Sequence, residues 1–180
     1  MLRPSINLAA LAFATFLPLT LFANVAADVS IDTDDVVGDI IELVGKDKDS
    51  FLADPVSVSI TEGRVQTLTL DFGADKGEQE YVIAGSISGI FPGTNLGSIS
   101  VPLNYDSYTD LLLMRLDSEI FLDFKGRLDA KGKATAKINL PEGLSPKVVG
   151  AVFFHSAIIF DAKTGKPELA SEIAEMVLMP

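Results

Sequence analysis

Lys133-Ala134-Thr135-Ala136-Lys137-Ile138-Asn139-Leu140 is the stretch on which the fold turns. Apolar side chains fall on every second residue, with polar ones between them. Successive side chains of a strand point to opposite faces, so this segment has one buried face and one wet face. A helix would scatter the same residues around its axis. The rhythm continues outward in both directions, from Phe51 to the end of the chain. Upstream, Val56, Val58 and Ile60 alternate with Ser57 and Ser59, and after Thr61-Glu62-Gly63 the residues Leu68, Leu70 and Phe72 alternate with Thr67, Thr69 and Asp71. This pair is expected to form a hairpin. Further strands are expected at 81–88, 98–103 and 120–124.

Downstream, residues 148–160 form an unbroken apolar run rich in β-branched and aromatic side chains, which predicts a central strand covered on both faces. The turn that follows it, Asp161-Ala162-Lys163-Thr164-Gly165, echoes Asp129-Ala130-Lys131-Gly132. In both, Asp is placed to bond the turn backbone and Gly to adopt a positive φ. Residues 167–179 begin like a helix with Pro167 and Glu168. A long unpaired apolar strand would nevertheless leave a sticky edge, so a final strand over about 171–178, paired on 148–160, is expected. One short helix is expected at 107–114, capped by Asp106, with Tyr108, Leu111 and Leu112 on one face. Short strands joined by Gly- and Pro-bearing turns predict a mainly β fold, an antiparallel β-sandwich with one or two short helices.

Ahead of this domain the composition changes twice. Residues 1–27 hold Arg3, the apolar run Leu8 to Ala26 and the small-residue exit Val25-Ala26-Ala27, the order of a secretory signal peptide cut after Ala27. An uncleaved membrane anchor is the rival reading, and Pro18 in the run speaks against it. Secreted or periplasmic placement is therefore expected, with no membrane attachment after cleavage. Residues 28–50 are an acidic lead-in in which Val36, Val37, Ile40, Ile41 and Val44 recur at helical spacing between Asp34 and Gly45. Residues 51–180 are the expected sandwich.

The chain carries a net charge of −11 and no Cys. The charge argues against nucleic acid and anionic membrane surfaces as partners, and the missing thiols leave stability to packing alone.

A linear pattern runs through the second half: Gly85-Ser86-Ile87-Ser88-Gly89, Pro92-Gly93-Thr94, Leu96-Gly97, Pro102-Leu103-Asn104, Asp106, Tyr108-Thr109, Phe124-Lys125-Gly126, Leu128-Asp129 and Gly132. It closes with the strand from Gly150 to Phe160 and Ala170-Ser171. This resembles an uncharacterised immunoglobulin-like β-sandwich module found at the C-terminal ends of secreted bacterial proteins. The pattern departs at Ser171-Glu172, where the module has Ser-Asn. The resemblance implies the sandwich and its terminal strand, and transfers no catalytic or ligand residue.

Candidate chemistry is sparse. His155, the single histidine, sits mid-strand with no nucleophile elbow nearby, and Ser156 points to the opposite face, so a structural role is expected. One His without Cys cannot build a zinc site. Asp32, Asp34, Asp35 and Asp39 are candidate calcium ligands, but the spacing lacks the calcium-loop pattern, and a solvated acidic face explains them as well. Paired carboxylates for glycoside hydrolysis would need a sugar platform from Tyr81, Tyr105 or Tyr108, as there is no Trp. Gly85, Gly89, Gly93 and Gly97 are expected at turns and bulges. No catalytic residue and no cofactor is implied. The expected function is that of an exported non-enzymatic binding or structural module for a protein, a polysaccharide or a second copy. The alternatives are a secreted hydrolase or accessory enzyme using exposed carboxylates, and a calcium-stabilised adhesive domain.

Overall fold

A computed structural model describes residues 50–180. The leader, the acidic lead-in helix and the four candidate calcium ligands lie outside the described residues. Within them the chain forms β1 (Ser50–Asp54), β2 (Ser57–Ser59), β3 (Arg64–Asp71), β4 (Glu80–Ser86), β5 (Thr94–Leu96), β6 (Ile99–Val101), α1 (Ser107–Met114), β7 (Phe121–Leu122), β8 (Lys125–Arg127), β9 (Lys133–Leu140), β10 (Val152–Phe160), β11 (Pro167–Ala170) and β12 (Ala174–Met179). One sheet has the order β1-β3-β9-β7. The other runs β2-β12-β10-β4-β8, with β11 beside β10, and β5-β6 is a separate hairpin. The two larger sheets pack face to face as a β-sandwich around one core. All pairings are antiparallel except β2 with β12.

The alternation at 133–140 does what its period requires. Ala136 and Ile138 are fully buried, opposite Leu68 and Gln66 of β3, while Lys133, Thr135, Lys137 and Asn139 face outward. In β10, His155 through Ile159 are buried on both faces, as a central strand demands. Its first turn is different: Pro146–Val148 form a 3₁₀ turn, and the strand begins at Val152. The C-terminal segment is extended and pairs back on β10 as expected, but in two pieces. Between β11 and β12 the ladder is interrupted at Ser171, whose hydroxyl accepts from Ala157 N at 2.8 Å in place of a backbone carbonyl. Both echoed turns work alike. Asp129 Oδ1 accepts from Lys131 N and Lys133 N, Asp161 Oδ1 accepts from Lys163 N and Thr164 N, and Gly132 and Gly165 have positive φ.

The expected hairpin of 56–60 with 68–72 does not form. β2 and β3 belong to different sheets, so Thr61-Glu62-Gly63 is an arch across the sandwich rather than a turn within one sheet. β3 pairs instead with β1, a strand the period did not reveal. The chain leaves β1 for the opposite sheet at Pro55, which has no N–H to continue a ladder. Gln66 holds this crossing: fully buried on β3, it donates through Nε2 to the Pro55 carbonyl at 2.8 Å and the Glu175 carbonyl at 2.9 Å.

The helix lies where the sequence places it, and Asp106 caps it in a capping box with Thr109. Its buried residues are Tyr108, Thr109 and Leu112, whereas Leu111 is 49% exposed. Gly85 also departs from expectation. Gly89, Gly93 and Gly97 have positive φ, but Gly85 is mid-strand in β4, where a Cβ would meet the Tyr108 ring at 2.6 Å. Its missing side chain is what lets the helix lie against the sheet.

Candidate functional site

β8 pairs only with Glu80 to Val82, so the edge of β4 beyond it would be bare. Side chains at the start of α1 cover that edge. Thr109 Oγ1 donates to the Gly85 carbonyl at 2.7 Å, and Asp106 Oδ2 accepts from the Ile87 and Ser88 amides at 2.8 Å each and from the hydroxyls of Ser86 at 2.9 Å and Ser88 at 2.8 Å. The other carboxylate oxygen accepts from Tyr108 N and Thr109 N at 2.9 and 3.1 Å. Partial burial pushes this carboxyl up, but the bonds from Ser88, Ile87 and Thr109 outweigh it and hold it well below the usual carboxylate range.

The docked helix presents two apolar stripes. Tyr108 and Leu112 enter the main core, where the Tyr108 hydroxyl lies 2.9 Å from His155 Nε2 and the Tyr108 ring packs edge-on against Phe153. Burial pushes His155 down to about 3, opposed by the Ala174 carbonyl, so the imidazole is neutral at physiological pH. Nδ1 makes no hydrogen bond. Burial raises the Tyr108 phenol above its ordinary value. Ser156, on the opposite face of β10, donates to the Ser171 carbonyl at 3.0 Å. No nucleophile–base pair exists around His155, and its surroundings are aromatic and dry.

Thr109 and Leu113 on the other side of α1, with Leu116 just past the end of the helix, border a pocket of about 360 Å³ on the outer face of the β4–β10 sheet. Val82, Ala84, Ile158 and Phe160 form its floor, and Leu96, Val101 and Leu103 of the β5–β6 hairpin and its exit form the opposite wall. An outer sheet face of a sandwich is ordinarily solvated and polar. Here both faces are apolar, because alternate residues of β4 and β10 on each side are hydrophobic, and the helix and hairpin only partly roof the outer one. Tyr105 and Lys125 lie at the rim. Its size and its few polar groups match those of ligand pockets, which run to about 300–1,000 Å³.

The residues singled out for sugar binding are not brought together. Tyr81 and Tyr108 are buried, and the Tyr81 phenol, raised to about 12 chiefly by burial, donates to the Asp123 carbonyl at 2.9 Å. Tyr105 is 61% exposed at the pocket rim, and its hydroxyl donates to Asp110. Three carboxylates, Glu78, Glu80 and Asp161, do line a smaller pocket of about 140 Å³ with Arg127. Arg127 lies 3.6 Å from Glu80, and the Asp161 carboxylate is committed to its own turn by bonds from Thr164 that hold its pKa down. A glycosidase general acid needs its pKa moved the other way. Among the described residues no group of three or more His, Asp or Glu side chains is arranged to hold a metal ion, and no helix is long and apolar enough to cross a membrane.

Sequence reasoning did not find the pocket. One signal was present: Leu111-Leu112-Leu113 is apolar beyond a single helix face, which requires something to cover more than one side.

No protein-family model matches the chain, and no curated protein matches it in sequence. Among solved structures it is similar to the periplasmic chaperone SfaE, at 12% identity and a TM-score of 0.38 over 73% of this chain. It is also similar to the D0-D1 domain of intimin, at 14% identity and a TM-score of 0.33 over 71% of this chain. The chain spans 57% of the first and 46% of the second, and no residue role passes from either.

Proposed function

We propose that this chain is an exported, non-enzymatic binding module, working in the periplasm or outside the cell, whose ligand seat is the pocket between α1 and the β5–β6 hairpin. The observation that carries the reading is an apolar hollow of about 360 Å³ on a sheet face that water would otherwise wet. Its polar wall residues are occupied by bonds within the protein. Thr94 Oγ1 donates to the Leu103 carbonyl at 2.7 Å, Asn104 is held by Gly93, Ser88 and Phe91, and Thr109 bonds Gly85. No carboxylate lines the hollow, so it offers surface for binding and no acid–base pair for hydrolysis.

An uncharged environment-sensitive dye tests the site directly. Nile red is expected to brighten and saturate at one site per chain. Leu113→Trp, which fills the hollow from a position 43% exposed, is expected to weaken it by about tenfold or more without moving the melting midpoint. Equal binding by both proteins, or none by the parent, ends this reading. Export rests on the leader and is read from the intact mass of protein made in an export-competent host. Maturation to a chain starting at Asp28 is expected, and a full-length chain retained in the cytosol would refute it.

A further inference from the structure

The pocket is built for a particular kind of molecule. Its lining is aliphatic rather than aromatic, with Val82, Leu96, Leu103, Leu113 and Ile158 setting its shape and only Phe160 and Tyr105 contributing rings. Flat sugars and purines gain most from paired aromatic faces, which this hollow lacks, whereas a flexible hydrocarbon fills an aliphatic cavity well.

The polar groups narrow the choice further. Thr94, Asn104 and Thr109 are spent on the protein's own backbone, and the Tyr105 hydroxyl is spent on Asp110. Lys125 is the exception. It stands opposite Val82 in the β8–β4 register, and Val82 stands opposite Ile158 in the β4–β10 register, so one row across the sheet leads from an ammonium group straight onto the apolar floor. Among the described residues Lys125 forms no ion pair, although its neighbour on the same face of β8, Arg127, is 3.6 Å from Glu80. In a chain of net charge −11, this exposed ammonium is the one charged side chain lining the hollow, so an anionic head is the complement at that end.

We propose that the pocket takes a single-chain anionic amphiphile, an aliphatic carboxylate whose hydrocarbon body lies on Val82 and Ile158 and whose head meets Lys125. This rests on the reading of the hollow as the ligand seat.

Displacement of Nile red by dodecanoate, dodecanol and dodecylammonium separates the two ideas. Dodecanoate is expected to bind about tenfold more tightly than dodecanol, and dodecylammonium most weakly. Lys125→Gln is expected to erase the advantage of dodecanoate while leaving dodecanol within about twofold of its parent value and the melting midpoint unmoved. If the acid and the alcohol bind alike, or if Lys125→Gln keeps the difference, the headgroup assignment is overturned and the hollow stands as an unselective apolar site. Failure of all three to displace the dye removes the hollow itself. A dimer in sedimentation that dissolves on adding dodecanol would assign the hollow to a second copy and overturn the proposal equally.

Discussion

Asp106→Ala is expected to lower the unfolding free energy by about 3–5 kcal/mol, seen as a fall in the urea midpoint at unchanged slope. The carboxylate accepts two helix amides, two amides just beyond β4 and two serine hydroxyls, so one truncation leaves several donors without a partner at once. Loss of an N-cap alone is worth about 0.5–2 kcal/mol, and bonds to a charged acceptor about 1.5–3 kcal/mol each before non-additivity. Asp106→Asn keeps one acceptor oxygen and should fall between parent and Ala. Because α1 is also a wall of the pocket, the Ala variant should bind Nile red less well even where it is still folded. A loss below about 1 kcal/mol would mean that solvent replaces these bonds freely and that the helix is not fastened through this residue.

Acidification is expected to destabilise the domain from about pH 6.5 downward, by about 1.4 kcal/mol per pH unit. The source is His155. Its folded-state pKa is depressed to about 3 by burial, whereas in the unfolded chain the ring titrates near its ordinary 6.5. Between these values the unfolded state binds a proton that the folded state refuses, so stability is whole above the upper value and drains away below it. Protonation in place would bury a charge between the Tyr108 and Phe124 rings, a cost that the Ala174 carbonyl only partly offsets. The chain has one histidine, so no other imidazole contributes in this window. Asp106 adds a second phase: its lowered pKa supplies stability above about pH 4 that is lost as pH falls further. Urea midpoints measured from pH 7.5 to 4.5 are expected to slope in the parent and to flatten in His155→Gln. A parent flat between pH 6.5 and 5 would show that the buried ring takes up its proton without penalty.

Much of the architecture was legible because its causes are local. A helix cap needs only Asp106 and the amides two and three residues on, and the alternation at 133–140 names its own buried face. Turns with Asp at the start and Gly at the positive-φ position carry their geometry within five residues. What was not legible is which sheet a strand joins. Thr61-Glu62-Gly63 has the composition of a hairpin turn, and nothing within it distinguishes a turn in one sheet from an arch between two. That choice is made by β1, which takes the place beside β3, and by β12, which pairs with β2 from the far end of the chain. The pocket was hidden for the same reason. Its floor comes from β4 and β10, its walls from the hairpin and the helix, and its cation from β8, so no window of sequence contains it.

The parallel pair of β2 with β12 makes completion of the second sheet depend on the last strand of the chain. Val58 stands beside Leu178, and β12 must settle between β2 and β10 before the second sheet is whole. A chain threaded through a pore with its first residues leading would hold 57–59 without a lateral neighbour until 177–179 arrived. Closure across so long a separation is slow, so a chain exported in that direction would stay pliant until its tail had followed.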